Sequence, residues 1–270
     1  MSDGPLAASA SPERVVIPPS VGAWLERLGR LSQERKVAAF AVGGCVRDWL
    51  LEVPTTTDLD VTVEGDGIGF AEFAARALGM TMIAHRQFGT ATLMVQPEPA
   101  EKKAERPRRR RVERVSLPEI IRIDVASCRR ESYSAPAAYP KTEPGSLRDD
   151  LFRRDFTVNA MAASIDPDRF GVMVDLFGGL RDLAARQLRI LHSHSFIDDP
   201  SRILRAARFA ERFDFRLEPE TDRLMRAALA DGVLEQLNRG RLRKELDRIV
   251  EERDPLACLR RLGNWLNAAP

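Results

Sequence analysis

The stretch "VAAFAVGGCVRDWLLEVPTTTDLDVTVEG", residues 37–65, constrains the fold more than any other part of the chain. An apolar run closes on a glycine pair, which predicts a buried strand and a turn. "VRDWLLEV" then restarts as a short helix, broken by Pro54. "DLDVTVEG" alternates polar and apolar positions and is rich in β-branched residues, the pattern of a half-buried strand.

Side chains at i and i+2 of a strand share a face, with Cα atoms about 7 Å apart. Asp58 and Asp60 therefore lie together, while Leu59, Val61 and Val63 turn toward a core. The same alternation in "IIRIDVAS" (120–127) sends Ile121, Ile123 and Val125 inward, and Arg122 and Asp124 outward. Neighbouring carboxylates repel, and a divalent cation supplies the missing counter-charge. Three of them on adjacent strands form a cradle for two Mg²⁺ ions, which activate a hydroxyl nucleophile and stabilise an in-line displacement at phosphorus. A D-x-D pair taken alone is more often a solubilising feature of an exposed strand; the upstream glycines shift that balance. Gly43 and Gly44 let the backbone approach a phosphate, and the following helix offers free N–H groups. Arg47, in the first turn of that helix, adds a charge-assisted contact to a triphosphate. The structural alternative is a plain turn whose Asp48 pairs with an arginine.

The rest of the chain divides into a mixed half and a helical half. Residues 21–36 carry Val21, Trp24, Leu25, Leu28 and Leu31 at helical spacing. Residues 69–79 read as helix and "TATLMVQ" (90–96) as strand. Between that strand and residue 120 lies a proline-broken segment with four consecutive arginines, 108–111, expected as a hairpin tip. Residues 131–148 read as loop. "RRDFTVNAMA" (153–162) is expected to lead into a helix, with Asp155 capping it or orienting Arg154 and Asn159 one turn later. "FGVMVDLFGG" reads as a short strand and a turn. Helices are expected over 199–213, 219–230 and 239–252, the first opened by Asp198, Asp199 and Pro200. Along it Asp199, Arg202, Arg205 and Arg208 recur every third residue and form a slanting ridge. Two readings stand: solvated ion pairs, or a carboxylate and guanidinium that match the edge of a base while further arginines hold phosphate.

With 270 residues, 44% of them hydrophobic, the chain suffices for one large domain or two modest ones. Cys45, Cys128 and Cys258 are far apart, which argues against structural zinc or a disulfide framework and for a reducing, cytoplasmic setting. No apolar run reaches the ~18 residues of a membrane span. The opening residues read as a flexible leader.

Taken in order, G-G-x-V-R-D, D-x-D, "RRDFTVNAMA" and the D-D-x-x-R helix resemble the class II tRNA nucleotidyltransferase and bacterial poly(A) polymerase family over roughly residues 35–255. The resemblance implies an α+β fold: a polymerase β-like nucleotidyltransferase head with a mixed sheet (20–180), after a leader (1–19), and an all-helical neck (181–270). It implies two Mg²⁺ ions on Asp58, Asp60 and Asp124, and a triphosphate turn at Gly43, Gly44 and Arg47. Arg154, Asp155 and Asn159 fall where the family contacts the nucleotide's sugar and phosphates. Asp199 and Arg202 match the pair that reads C and A without a template, and Arg205 and Arg208 match the arginines that follow. Gly178, Gly179 and Asp182 resemble the hinge between head and neck. The implied reaction adds C, A or both to the 3′ end of tRNA from CTP and ATP. A poly(A) polymerase and a non-catalytic RNA-binding relative are the alternatives. Two departures stand out. Asp198 replaces the usual glutamate before Asp199. The sequence also stops at Pro270, where members continue into helical body and tail domains. It is therefore either a shorter piece or a compact form, whose basic segment 102–114 would help grip RNA.

Overall fold

A computed structural model describes residues 13–53, 58–95 and 121–267. The arginine-rich segment 102–114 and most of the leader lie outside the described residues. Helix α1 (Pro19–Glu34) is followed by β1 (Ala39–Val42), α2 (Gly44–Leu50), β2 (Asp58–Val63), α3 (Gly67–Leu78), β3 (Thr81–His85), β4 (Thr90–Val95) and β5 (Ile121–Ser127). Then come β6 (Arg129–Ser132), β7 (Lys141–Pro144), α4 (Leu147–Phe152), β8 (Met161–Ser164), β9 (Met173–Asp175) and α5 (Gly179–Ala184). The last third holds β10 (Gln187–Leu188), α6 (Ser195–Asp198), α7 (Ser201–Phe213), β11 (Arg216–Leu217), α8 (Pro219–Ala230), α9 (Arg239–Val250) and α10 (Pro255–Asn267). None of the described helices is long and apolar enough to cross a membrane.

Seven strands form one mixed sheet in the order β3-β4-β5-β2-β1-β8-β9. Its β2–β5 pair is parallel and the other pairs are antiparallel. The parallel pair requires a crossover, and α3 lies within it, capped at one end by Asp66 and closed at the other by left-handed Gly79. The inward residues anticipated on β2 and β5 are buried: Leu59, Val61, Val63, Ile121, Ile123 and Val125. They join Leu25 and Leu28 of α1 and, from α7, Ile203, Ala206 and Phe209 in one core. The mixed and helical halves therefore share apolar packing.

Four local expectations are corrected. Residues 131–148 are not simply loop: β6 and β7 pair as an antiparallel hairpin, and Ser146 opens α4 with a capping box to Asp149. These short, charged strands carry no apolar alternation, so the hairpin left no period to read. "RRDFTVNAMA" does not enter a helix; Thr157–Asn159 is a 3₁₀ turn and β8 follows, buried on both faces between β1 and β9. Its small, unalternating alanines suit a doubly covered strand and imitate a helix in composition. The helix expected over 199–213 is α7, but Asp199 lies outside it, in the break between α7 and a preceding short helix, α6, that the sequence reading did not separate. The leader is shorter than expected, because residues 13–15 lie along the sheet edge: Val15 is buried and its N–H donates to Gly171 O. Among the described residues, the helical half also contains a two-residue parallel ladder, β10 with β11.

The connection between the halves is tightly packed. A Cβ at Gly179 would stand 2.4 Å from Thr157 O and 2.6 Å from Met161 Cγ. Asp182, fully buried, accepts from Thr157 Oγ1 and from Arg189. Gly179→Ala is expected to destabilise the chain by roughly 1–3 kcal/mol through forced overpacking. The check is a lower urea midpoint at unchanged slope.

Candidate active site

The β2–β5 register sets Asp60 directly beside Asp124 and Asp58 beside Arg122. On the far side of β5, the β4 register places Thr92 beside Asp124. Thr92 Oγ1 donates to Asp124 Oδ1 at 2.6 Å, and Arg122 donates to Oδ1 and Oδ2 at 3.2 and 3.0 Å. Asp58, Asp60 and Asp124 all line one cleft of about 900 Å³. Asp60 is displaced upward from the ordinary carboxylate pKa. Loss of surrounding water is the main cause, and Asp124 and Asp58 add to it against the opposing pull of Arg154 and Arg122. Among the described residues no three acidic, imidazole or thiol groups close into a ready-made metal cage. Mg²⁺ does not need one: it takes one or two carboxylates and completes its shell with water and substrate phosphate. Hard oxygen donors gathered in one desolvated cleft suit such an ion.

The glycine turn stands beside these acids. Gly43 has φ +80°, and a Cβ there would lie 2.5 Å from Arg154 Nη1. Glycine is thus required twice, for the left-handed backbone and for the guanidinium packed over it. Gly44 begins α2 and lines the cleft. Arg154 Nη2 donates to Asp150, which also accepts two hydrogen bonds from Arg153. Burial opposes ionisation of Asp150, but Arg154 and Arg153 outweigh it and hold its pKa low. Asp150 was missed in the sequence, although its i+3 and i+4 spacing to the two arginines was there to be read.

Several expected ligands are committed to protein partners. Arg47 is the fourth residue of α2, closing its first turn, and is buried. Its guanidinium donates to Asp48 Oδ1 and Asn159 Oδ1 and lies 4.4 Å from the Phe213 ring centroid. Asp155 is buried and caps no α-helix. It accepts from Phe156 N, Asn159 Nδ2 and two nitrogens of Arg205. Burial would raise its pKa, but Arg205, Asn159 and Arg202 prevail and bring it to about 2. Asp199 and Arg202 do not pair side chain to side chain. Asp199 ion-pairs with Arg241 of α9 at 2.5 Å, and buried Arg202 donates to Ser195 Oγ and Arg153 O. Arg208 faces Glu245 and Glu252 at 3.5 Å. The ridge is therefore backed by a second row of acids on and after α9, which the sequence reading did not identify.

Residues 39–189 match the family described as the Poly A polymerase head domain. The chain belongs to this family. It is 38% identical over 247 residues to an A-adding tRNA nucleotidyltransferase of Geobacter sulfurreducens, covering 92% of this chain and 26% of that protein. It is 37% identical over 248 residues to a CC-adding tRNA nucleotidyltransferase of Deinococcus radiodurans, covering 92% and 59%. The structure of the Thermotoga maritima CCA-adding enzyme complexed with tRNA-CCA superimposes with a TM-score of 0.73 at 38% identity, over 92% of this chain and 52% of that one. The chain thus spans between about a quarter and three fifths of the length of these relatives.

Within this family framework the cleft has two walls. The β2–β5 acids form one, and the ridge of α7, with Arg241 and Arg248 of α9, forms the other. Arginines outnumber carboxylates eleven to seven among the lining residues described, which favours a polyanionic occupant. Asp155 joins the walls, and its titration is a test. Its folded-state pKa of about 2 lies below the ~3.9 of an unfolded aspartate. The stability it contributes is complete above pH ~4 and is lost as pH falls toward 2. Asp155→Asn is expected to cost about 3–5 kcal/mol at neutral pH by leaving Arg205 undercompensated. It should also flatten the loss of stability below pH ~4, read by urea unfolding across that range.

Proposed function

We propose that this chain is the head (20–180) and neck (181–270) of a template-independent tRNA nucleotidyltransferase. It would transfer a nucleotidyl group from CTP or ATP to the 3′ hydroxyl of tRNA and release pyrophosphate. The observation that carries this reading is the register of Asp60 with Asp124 in a cleft whose opposite wall is arginine. Relatives named as A-adding and CC-adding enzymes, and a relative solved with tRNA, support the same substrates.

Asp58, Asp60 and Asp124 would hold two Mg²⁺ ions, which supply a polarised hydroxyl nucleophile and neutralise charge at phosphorus. The chain's own residues do the rest. Gly43, lacking a side chain, lets the Arg154 guanidinium lie close over the start of α2, where it would meet a phosphate, and Gly44 begins that helix. Arg154, held by Asp150, offers its charge there and also faces Asp60. Asp155, Asn159 and Arg205 fix the floor between the two walls, and Asp199 with Arg202 lies where the base would be read. Arg208 steadies the ridge through Glu245 and Glu252.

Asp60→Ala is expected to reduce nucleotide incorporation at least ~10³-fold while leaving tRNA affinity within about twofold, since the arginine wall is untouched. The assay is Mg²⁺-dependent labelling of tRNA ending in -N, -C or -CC, with CTP and ATP supplied separately. The pattern of accepted ends assigns the chain as A-adding, CC-adding or CCA-adding. Extension of unrelated RNA by many A residues would assign a poly(A) polymerase instead. Retained incorporation by the variant would overturn the carboxylate assignment.

A further inference from the structure

Asp199 is held in one orientation by groups that the motif itself does not contain. Ser201 N–H and Ser201 Oγ donate to Asp199 Oδ1 at 3.0 and 2.5 Å, and Arg241 Nη2 ion-pairs with the same oxygen at 2.5 Å. Among the described residues no hydrogen bond reaches Oδ2. The carboxylate is thus pinned through one oxygen and has the other available as an acceptor. Arg241 is fixed in turn from behind. Its Nη1 donates to Ala137 O at 3.2 Å and Ala138 O at 3.5 Å, and its guanidinium lies 5.7 Å from the ring centroid of Tyr139. Tyr139 is 70% exposed and lines the cleft, in the connection between β6 and β7.

We propose that Arg241 and Ser201 are specificity-determining positioning residues: they fix Asp199 so that only Oδ2 can meet a base. The inference rests on the base-reading role given to Asp199 above. An ionised carboxylate only accepts hydrogen bonds. An oxygen held at one point rewards an exocyclic amine and penalises a carbonyl. Cytosine N4 and adenine N6 are amines, whereas uracil O4 and guanine O6 are acceptors at the corresponding edge. A carboxylate free to rotate, or to draw back toward α9, would lose that discrimination even with its charge intact. Arg241 prevents both, because its two ends are tied to different elements. Lysine cannot replace it, since one ammonium cannot span Asp199 and the two carbonyls.

The test is equilibrium binding of CTP, ATP, UTP and GTP to the 270-residue chain in Mg²⁺, with no tRNA present, for wild type, Arg241→Lys, Arg241→Met, Ser201→Ala and Asp199→Asn. Thermal melting of each variant checks folding. Wild type is expected to favour CTP and ATP over UTP and GTP. Arg241→Lys and Arg241→Met should cut that preference about tenfold, and Ser201→Ala by about threefold, the scale of losing one charged or one neutral hydrogen bond. Asp199→Asn should abolish it. If both Arg241 variants weaken all four triphosphates alike, Arg241 only supports the fold and the inference fails. If Asp199→Asn levels the preference while Arg241→Met and Ser201→Ala leave it whole, the inference fails alone. If wild type binds the four alike, or Asp199→Asn keeps the preference, the base-reading role itself is wrong and the inference falls with it.

Discussion

The cleft depends on one ion pair, buried Asp155 with half-buried Arg205. Removing a carboxylate and a guanidinium from water costs several kcal/mol each, and such a pair holds only where every charge is compensated. Here Asp155 receives the Phe156 N–H, the Asn159 amide and two N–H groups of Arg205. Asn159 in turn accepts from Arg47, whose guanidinium lies against Phe213 at the end of α7. On its other side Arg205 faces Glu245 of α9 at 3.8 Å. The chain of contacts runs from α2 through the 3₁₀ turn to α7 and on to α9. It fixes how far the arginine ridge stands from the sheet. Apolar packing of Phe156 against Phe209 alone would leave the same halves in contact but free to slide. The directional hydrogen bonds remove that freedom.

The acids on the sheet are placed by a different device. Parallel pairing of β2 with β5 puts Asp60 and Asp124 at the same height, and the strand period turns both to the cleft. A slip of one residue would bury them and expose Val61 and Val125, so the core enforces the register. The electrostatic result is a local acidic patch facing an arginine wall. Arg154 belongs to both fields. It counters the rise in the Asp60 pKa, and it lies over the glycine turn where a phosphate would sit. A phosphate that engages Arg154 therefore weakens the counter-charge felt by Asp60. The same event makes a divalent cation beside Asp60 more favourable. On the proposed function, nucleotide and cation would be coupled through one guanidinium, and such coupling is reciprocal.

What could be read from the sequence follows from range of interaction. Asp58, Asp60 and Asp124 were visible because a strand's period of two is local and their apolar neighbours declared the buried face. α1 was visible for the same reason at period 3.6, through Val21, Trp24, Leu25, Leu28 and Leu31. The β6–β7 hairpin was not, because its stability comes from cross-strand charge pairs such as Arg130 with Glu143, which no single-strand period reveals. Strand β8 was mistaken for helix because burial on both faces erases alternation. The arginine ridge on α7 was visible as a spacing, yet its partners were not. Asp155 lies fifty residues before Arg205, Glu252 forty-four after Arg208, and Arg241 forty-two after Asp199. A ridge of arginines can point to solvent, to substrate or to buried acids, and sequence spacing is the same in all three cases. Only the fold decides. Here it turns Arg202 and Arg208 largely toward protein partners and leaves Arg154, the guanidinium between the acids and the glycine turn, as the cation closest in kind to the one the opening motif required.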